Sequence, residues 1–222
     1  MEAYIISDLH LGSKYSRYRE FLDFVRGLPQ DAALILNGDV VNHRIKPKYD
    51  WDEQKGVLDF LREESEKRQI IWIRGNNDRK YELKNPCKIK LCDDYSIGKR
   101  LYITHGHKFD RLMPRARWAL WIVGALYTLR RFFGASDIHI AEYVKRLPLL
   151  YNVLCTHIAN NATDFAREHN YEAVTCGHTH CAADIEKDGI RYLNTGAWTE
   201  PDAAMVVVDE NMIRLDYIQN NE

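Results

Sequence analysis

Residues 3–12 read AYIISDLHLG, and the point where this stretch changes character decides the fold. Ala3 to Ile6 is a short apolar run of the kind that makes a strand covered on both faces. It passes without a spacer into Ser7, Asp8 and His10, which are polar or metal-ligating types. The same change recurs along the chain. Ala32 to Leu36 ends in Asn37-Gly38-Asp39, and Ile70 to Ile73 ends in Gly75-Asn76-Asn77-Asp78. Arg100 to Thr104 ends in His105-Gly106-His107, and Ala173 to Cys176 ends in Gly177-His178-Thr179-His180. Sites in open α/β sheets form beyond the carboxyl ends of the strands, so these loops can converge on one crevice. Each loop alone reads equally well as an ordinary turn. Their joint occurrence, each after an apolar strand, carries the argument.

Between these strands the spacing changes to that of amphipathic helices. Arg17 to Arg26 places Phe21, Leu22 and Val25 on one face, and Asp52 to Lys67 does so with Val57, Leu58 and Leu61. Asn152 to Glu168 groups Ile158, Ala162 and Phe165 in the same way. Later, Lys187-Asp188-Gly189 predicts a hairpin turn within Ile185 to Asn194, and Met205–Val208 with Met212–Tyr217 predicts a closing pair of strands. Strands alternating with helices, followed by hairpins, predict an α/β domain with mixed sheets.

One region departs from this rhythm. Residues 118–129 read WALWIVGALYTL, without a charge, and are bracketed by Arg115, Arg117, Arg130 and Arg131. A spanning helix needs about 20 apolar residues, so this segment suits a membrane interface or the lining of an apolar pocket. The chain of 222 residues fits a single domain over 1–222, with 111–170 as a helical insertion capping it. A net charge of −1 argues against a whole-molecule polyanion binder, and no nucleic-acid partner is expected. Five cysteines without a C-x-x-C pair suit a reducing compartment. The first residues, MEAYIISDLH, lack a basic stretch followed by an apolar run, so a cytoplasmic location is expected.

The chemistry of the strand ends points to metal. Asp8 and Asp39, with His10, His105, His178, His180 and the carboxamide of Asn76, make an oxygen and nitrogen donor set without thiolate. Such a set suits Mn²⁺, Fe or Zn²⁺ and argues against a closed structural zinc site. It is too large for one open catalytic metal. It suits two metals sharing a carboxylate about 3.5–4 Å apart, an arrangement that clamps the attacking and leaving oxygens of a phosphoryl displacement.

Taken as a set, ISDLHLG at 6–12, GD at 38–39, GNND at 75–78, HGH at 105–107 and GHTH at 177–180 resemble the calcineurin-like metallophosphoesterases. The resemblance implies a sandwich of two mixed β-sheets flanked by helices, and two divalent metals, with Mn²⁺ favoured over Fe or Zn²⁺. It implies Asp8, His10 and His180 on one metal, Asn76, His105 and His178 on the other, and Asp39 between them. Asp39, Asn76, Asn77 and Asp78 become the expected catalytic group. Where many relatives carry histidine or arginine, this chain has Asn77, which can donate only neutral hydrogen bonds. Arg74 and Arg79 flank the loop as candidate replacements for the missing cation.

Within the family, the start SDLHLG, the apolar insertion and YLNTGAWTE at 192–200 look most like the UDP-2,3-diacylglucosamine hydrolases of lipid A synthesis. That implies a nucleotide-diphosphate lipid substrate, split to UMP and a lipid phosphate, and peripheral contact with the inner membrane surface. Trp118, Trp121, His139 and His157 are then expected to meet substrate, with His107 and Asn194 supporting the site. Two alternatives stand beside this reading: a phosphodiesterase or phosphatase acting on a soluble phosphoester, and a non-catalytic scaffold of the same fold.

Overall fold

The computed structural model describes residues 2–42, 51–112 and 148–218. Strand β1 (Ala3–Ile6) leads to helix α1 (Tyr18–Gly27), then β2 (Ala33–Asn37), α2 (Trp51–Ser65) and β3 (Ile70–Ile73). Three short strands follow, β4 (Lys90–Cys92), β5 (Tyr95–Ile97) and β6 (Leu101–Ile103), and then a 3-10 turn at His107–Phe109. After α3 (Pro148–Glu168) come β7 (Ala173–Cys176), β8 (Ala183–Lys187), β9 (Ile190–Asn194), β10 (Ala204–Val208) and β11 (Ile213–Tyr217).

The strands form two sheets, ordered β11-β10-β1-β2-β3-β4 and β5-β6-β7-β9-β8. In the first, β1, β2, β3 and β4 run parallel, β10 pairs antiparallel with β1, and β11 pairs antiparallel with β10. In the second, β6, β7 and β9 run parallel, flanked by antiparallel β5 and β8. The expected α/β sandwich of two mixed sheets is therefore what the chain forms.

Alternation along each strand explains the layering. Ala3 and Ile5, Ala33 and Ile35, and Ile71 and Ile73 face Leu101, Ile103, Ala173 and Leu193 of the other sheet, making the central core. The alternate residues Ile6, Leu34, Leu36, Ile70 and Trp72 pack outward with Phe21 and Val25 of α1 and Val57, Leu58 and Leu61 of α2. On the far side, Tyr102, Val174, Cys176 and Tyr192 pack with Ile158, Ala159, Ala162 and Ala166 of α3. Strands covered on both faces have no polar alternation to show, which is why they read as continuous apolar runs.

Several boundaries differ from the sequence expectation. Helix α3 is already formed at Pro148, where the described residues resume, so it includes the residues just before Asn152, and Tyr151 among them donates its hydroxyl to the Thr179 carbonyl at 2.8 Å. The helix falls within the 111–170 span expected as a cap, and its buried face makes it an outer layer of the fold. Residues 113–147 of that span, with Trp118, Trp121 and His139, lie outside the described residues. Strands β4 and β5 have no counterpart in the sequence reading, since KLC and YSI are short and no residue in them is buried.

The central core sets the stability. Ile35, 1% exposed between the sheets, is expected to cost about 2–5 kcal/mol of unfolding free energy on change to alanine. Ile185, 47% exposed on β8, should change by no more than about 0.5 kcal/mol on the same substitution. Urea denaturation with an unchanged slope would measure both.

Candidate metal centre

Five loops meet where the carboxyl ends of the two sheets come together. Backbone bonds tie those of the first sheet: Asp8 donates its N–H to the Gly38 carbonyl at 3.0 Å, and His10 donates to that of Asp39 at 2.9 Å. Gly177 N–H donates to the His105 carbonyl at 3.0 Å, joining the loops after β6 and β7. Across the sheets, His178 N–H donates to Asp8 Oδ2 at 3.0 Å. Two glycines are required by closeness alone. A Cβ on Gly75 would overlap Asp39, and one on Gly177 would overlap Ser7 and Asp8.

The backbone itself is bent to aim these side chains. Asp8, His10, Asp39, His178 and His180 all have positive φ, at 57°, 49°, 53°, 68° and 57°. Aspartate and histidine tolerate this left-handed region better than most residues, yet such conformations persist only where the surroundings hold them. Here the holding is done by the strand ends and the inter-loop bonds.

Two groups of donor atoms converge within 4.8 Å of one another: Asp8, His10 and His180, and Asp8, Asp39 and His105. Asp8 Oδ1 lies 3.2 Å from His180 Nε2 and 3.5 Å from His10 Nε2, while its Oδ2 accepts from Ser7 Oγ at 2.5 Å. Asp39 sits between the groups, with Oδ2 3.9 Å from His10 Nε2 and Oδ1 3.5 Å from His105 Nε2. His105 has its Nδ1 2.9 Å from the Asn37 carbonyl, leaving Nε2 buried and without a hydrogen bond. The Asn76 Oδ1 is likewise shielded from solvent and accepts no hydrogen bond. The His178 ring lies 5.4 Å from that of His105, and its Nε2 meets Asp110 Oδ2 at 3.1 Å. Buried polar atoms without hydrogen bonds, close to two buried carboxylates, fit a site for divalent cations.

Electrostatics agree. Burial pushes both carboxyls up, but the neighbouring histidines outweigh it and hold Asp8 and Asp39 well below the usual carboxylate range. Burial would lower His105 and His180, yet Asp39 and Asp8 drive His105 up to about 10, and Asp8 and Glu200 drive His180 up to about 9. In the metal-free protein, imidazolium protons thus supply the positive charge that the carboxylates require. His107, whose ring is 5.6 Å from that of His105, is pushed down to about 4 by burial and by the charges of His105 and His178.

The GNND loop divides its labour. Asp78 accepts from Val40 N–H at 2.9 Å, Trp72 Nε1 at 3.0 Å and Gly75 N–H at 2.6 Å, so its carboxylate locks the loop to the end of β2. Burial and the charge of Asp39 raise its pKa. Asn77 donates its N–H to Asp39 Oδ1 at 2.7 Å and its carboxamide Nδ2 to Asp39 Oδ2. It is a hydrogen-bond partner of the central carboxylate. Arg79 is exposed and Arg74 half-buried; both line a pocket with Lys80 and Tyr81. Arg74 lies 3.5 Å from Asp93. His157 shares a bond with Asn161 at 2.9 Å on α3 and is among the residues not brought to the converging donors. Asn194, fully buried, donates to the Gly177 carbonyl at 2.9 Å and to Thr179 Oγ1 at 3.1 Å, bracing the GHTH loop.

Three contributors were missed by sequence reasoning. Ser7 stands beside Asp8 in SDLH, and its adjacency was the available signal. Glu200, 3.7 Å from His180 Nδ1, ends the YLNTGAWTE stretch. Asp110 has no motif around it. A pocket of about 360 Å³ opens beside His180, with Tyr151, Asn152, Glu200 and Asp202 in its wall.

A family model, calcineurin-like phosphoesterase, matches residues 1–182. The chain belongs to that family. It is a metallophosphoesterase-type phosphoester hydrolase, with aspartate and histidine groups able to hold metal. No curated protein matches it significantly. Among solved structures, it is similar to Yfce, a phosphoesterase from E. coli, at 17% identity, 96% of this chain, 91% of that one and a TM-score of 0.50. A novel archaeal phosphodiesterase shares 18% identity over 98% of this metallophosphoesterase and 100% of its own chain, with a TM-score of 0.49. The nuclease MPE of Pseudomonas putida shares 11% over 97% and 87%, with a TM-score of 0.48. Among the described residues, no helix is long and apolar enough to cross a membrane.

Metal uptake should be coupled to protons. Ligation needs neutral imidazole, so binding near pH 7 must displace the protons held by His105 and His180. Affinity is expected to rise with pH, and proton release to fall away as pH passes through about 9 to 10. A Mn²⁺ titration in weak buffer with an indicator dye measures this. Uptake at pH 7 without acidification would contradict the assignment.

Proposed function

We propose that this metallophosphoesterase hydrolyses the pyrophosphate of UDP-2,3-diacylglucosamine or a similar nucleotide-diphosphate lipid, releasing UMP and a lipid phosphate. The hydrolytic part rests on one observation, the convergence of Asp8, His10, Asp39, His105 and His180; Asn76, next to the Asn77 that bonds Asp39, keeps a buried oxygen without a hydrogen bond. The lipid part is supported by sequence alone, through SDLHLG, the apolar stretch at 118–129 and YLNTGAWTE. An arginine-flanked apolar segment of that kind suits peripheral binding to the inner membrane surface, in the cytoplasm.

Two divalent ions, with Mn²⁺ favoured and Fe or Zn²⁺ as alternatives, would when bound supply Lewis acidity, which acidifies water and offsets phosphoryl charge. Asp8, His10 and His180 would hold one; Asn76, His105 and His178 the other; Asp39 lies between. Asn77 fixes both oxygens of Asp39, and Asp78 fixes the loop that carries Asn76. Asn77 cannot pass a proton to a leaving group, and UMP needs little such help compared with a simple alkoxide. Arg74 and Arg79 would face the anionic part of the substrate. Trp118, Trp121, His139 and His157 would meet its glucosamine or acyl portion.

A second reading takes a soluble phosphodiester as substrate. It is favoured by the polar groups that Tyr151, Asn152, Glu200 and Asp202 contribute to the mixed polar and apolar pocket beside His180, which suit a hydroxyl-bearing substrate.

Incubation with Mn²⁺ and UDP-2,3-diacylglucosamine, with UMP followed by chromatography, is expected to show turnover. Hydrolysis of bis(p-nitrophenyl) phosphate with no UMP release would transfer the assignment to the second reading. In either assay, Asn76→Ala and Asp39→Ala should lower kcat/KM by on the order of 10²–10³-fold. Asn77→Ala, which removes one neutral donor from Asp39, should cost about tenfold. Equal losses from Asn76→Ala and Asn77→Ala would refute this division of roles.

A further inference from the structure

Asp110 joins the two loops of the second sheet, although no sequence motif surrounds it. It closes the 3-10 turn, donating its N–H to the His107 carbonyl at 3.2 Å, and its Oδ1 accepts from Leu112 N–H at 3.1 Å. The turn is anchored from α3. Asn161 Nδ2 donates to the Phe109 carbonyl at 2.8 Å, and the rings of Phe109 and Phe165 lie 5.5 Å apart. From this fixed position Asp110 Oδ2 reaches the GHTH loop, 3.1 Å from His178 Nε2, with its side chain only 3% exposed.

An ionised carboxylate only accepts hydrogen bonds, so the proton of a neutral His178 sits on Nε2 and its lone pair on Nδ1. The carboxylate also makes the imidazole a better donor to a cation and holds its ring in place. His105 has the opposite arrangement, with Nδ1 against a neutral carbonyl and Nε2 toward Asp39. Each imidazole is thus turned by a different outer partner.

We propose that Asp110 is a positioning residue of the metal centre: it fixes His178 as an Nδ1 donor and thereby sets the affinity of one of the two metals. The proposal rests on the reading of His178 as a ligand. It goes beyond that reading by naming the group that makes His178 competent. It also gives α3 a part in the centre, because the helix carries the turn that carries Asp110.

The test is calorimetric titration of Mn²⁺ into the full-length metal-free protein, comparing wild type with Asp110→Ala, Asp110→Asn, His178→Ala and the double variant Asp110→Ala/His178→Ala. One Mn²⁺ equivalent should weaken about tenfold in Asp110→Asn and toward 100-fold in Asp110→Ala, with the other nearly unchanged. In the His178→Ala background, Asp110→Ala should add nothing, because the two act as one unit. A merely structural residue would instead add its loss in both backgrounds. Asp110→Asn keeps the size and one acceptor, so it carries the test if the alanine variant does not fold. Wild-type affinities in Asp110→Asn, or additive losses in the double variant, would overturn the proposal while leaving the metal centre intact. Wild-type protein that takes up fewer than two Mn²⁺ would instead overturn the metal reading, and this proposal with it.

Discussion

Asp8 and Asp39 are buried in the same crevice, and two carboxylates so placed must be compensated or they will not remain ionised. Taking an ion out of water costs several kcal/mol, recovered only through opposite charge and well-made hydrogen bonds. The surrounding structure meets that demand piece by piece. Ser7 and the His178 N–H hold one oxygen of Asp8, and Asn77 holds both oxygens of Asp39. His10, His105 and His180 supply positive charge in the metal-free protein, and divalent cations fit the same need. The left-handed turns at five of these residues, and the glycines that let the loops touch, follow from bringing the groups this close.

The sandwich delivers the groups because of its strand order. Adjacent parallel strands β1, β2 and β3 place Asp8, Asp39 and Asn76 side by side at one edge. Adjacent parallel β6 and β7 do the same for His105, His178 and His180. The apolar face shared by the two sheets then fixes how the edges meet. Trp198, fully buried near α1, adds a tether: its N–H donates to the Ser7 carbonyl at 3.4 Å, linking the loop after β9 to that after β1. Stability and site geometry are therefore not separable in this fold. The same alternation that buries Ile5 and Ile35 sets where Asp8 and Asp39 emerge.

Much of this was legible in advance. β1, β3 and β7 lie where an apolar run stops at a polar residue, and their boundaries as read from sequence coincide with the structure. The closing hairpins were legible for a similar reason, since Asp188-Gly189 and the residues between β10 and β11 interrupt alternating runs. The short strands β4 and β5 were not, because a three-residue edge strand pairs through its backbone and needs no apolar signature. Helix α3 extends ahead of the expected Asn152, and Tyr151 there is tied to a carbonyl 28 residues away, a contact that local spacing does not signal.

By itself, the sequence determined the strand ends and the chemical types offered there: two carboxylates, four imidazoles and a carboxamide, each just past an apolar run. Those are local properties, written in composition and period. Only the tertiary structure decided which atom of each group is held and which is left available. The Asn37 carbonyl selects the free nitrogen of His105 from 68 residues away, Asn77 captures Asp39 from 38 away, and Asp110 turns His178 from 68 away. A hydrogen bond depends on where two atoms lie in space, and no local pattern of residues encodes the distance between loops that meet only after the sheets have packed.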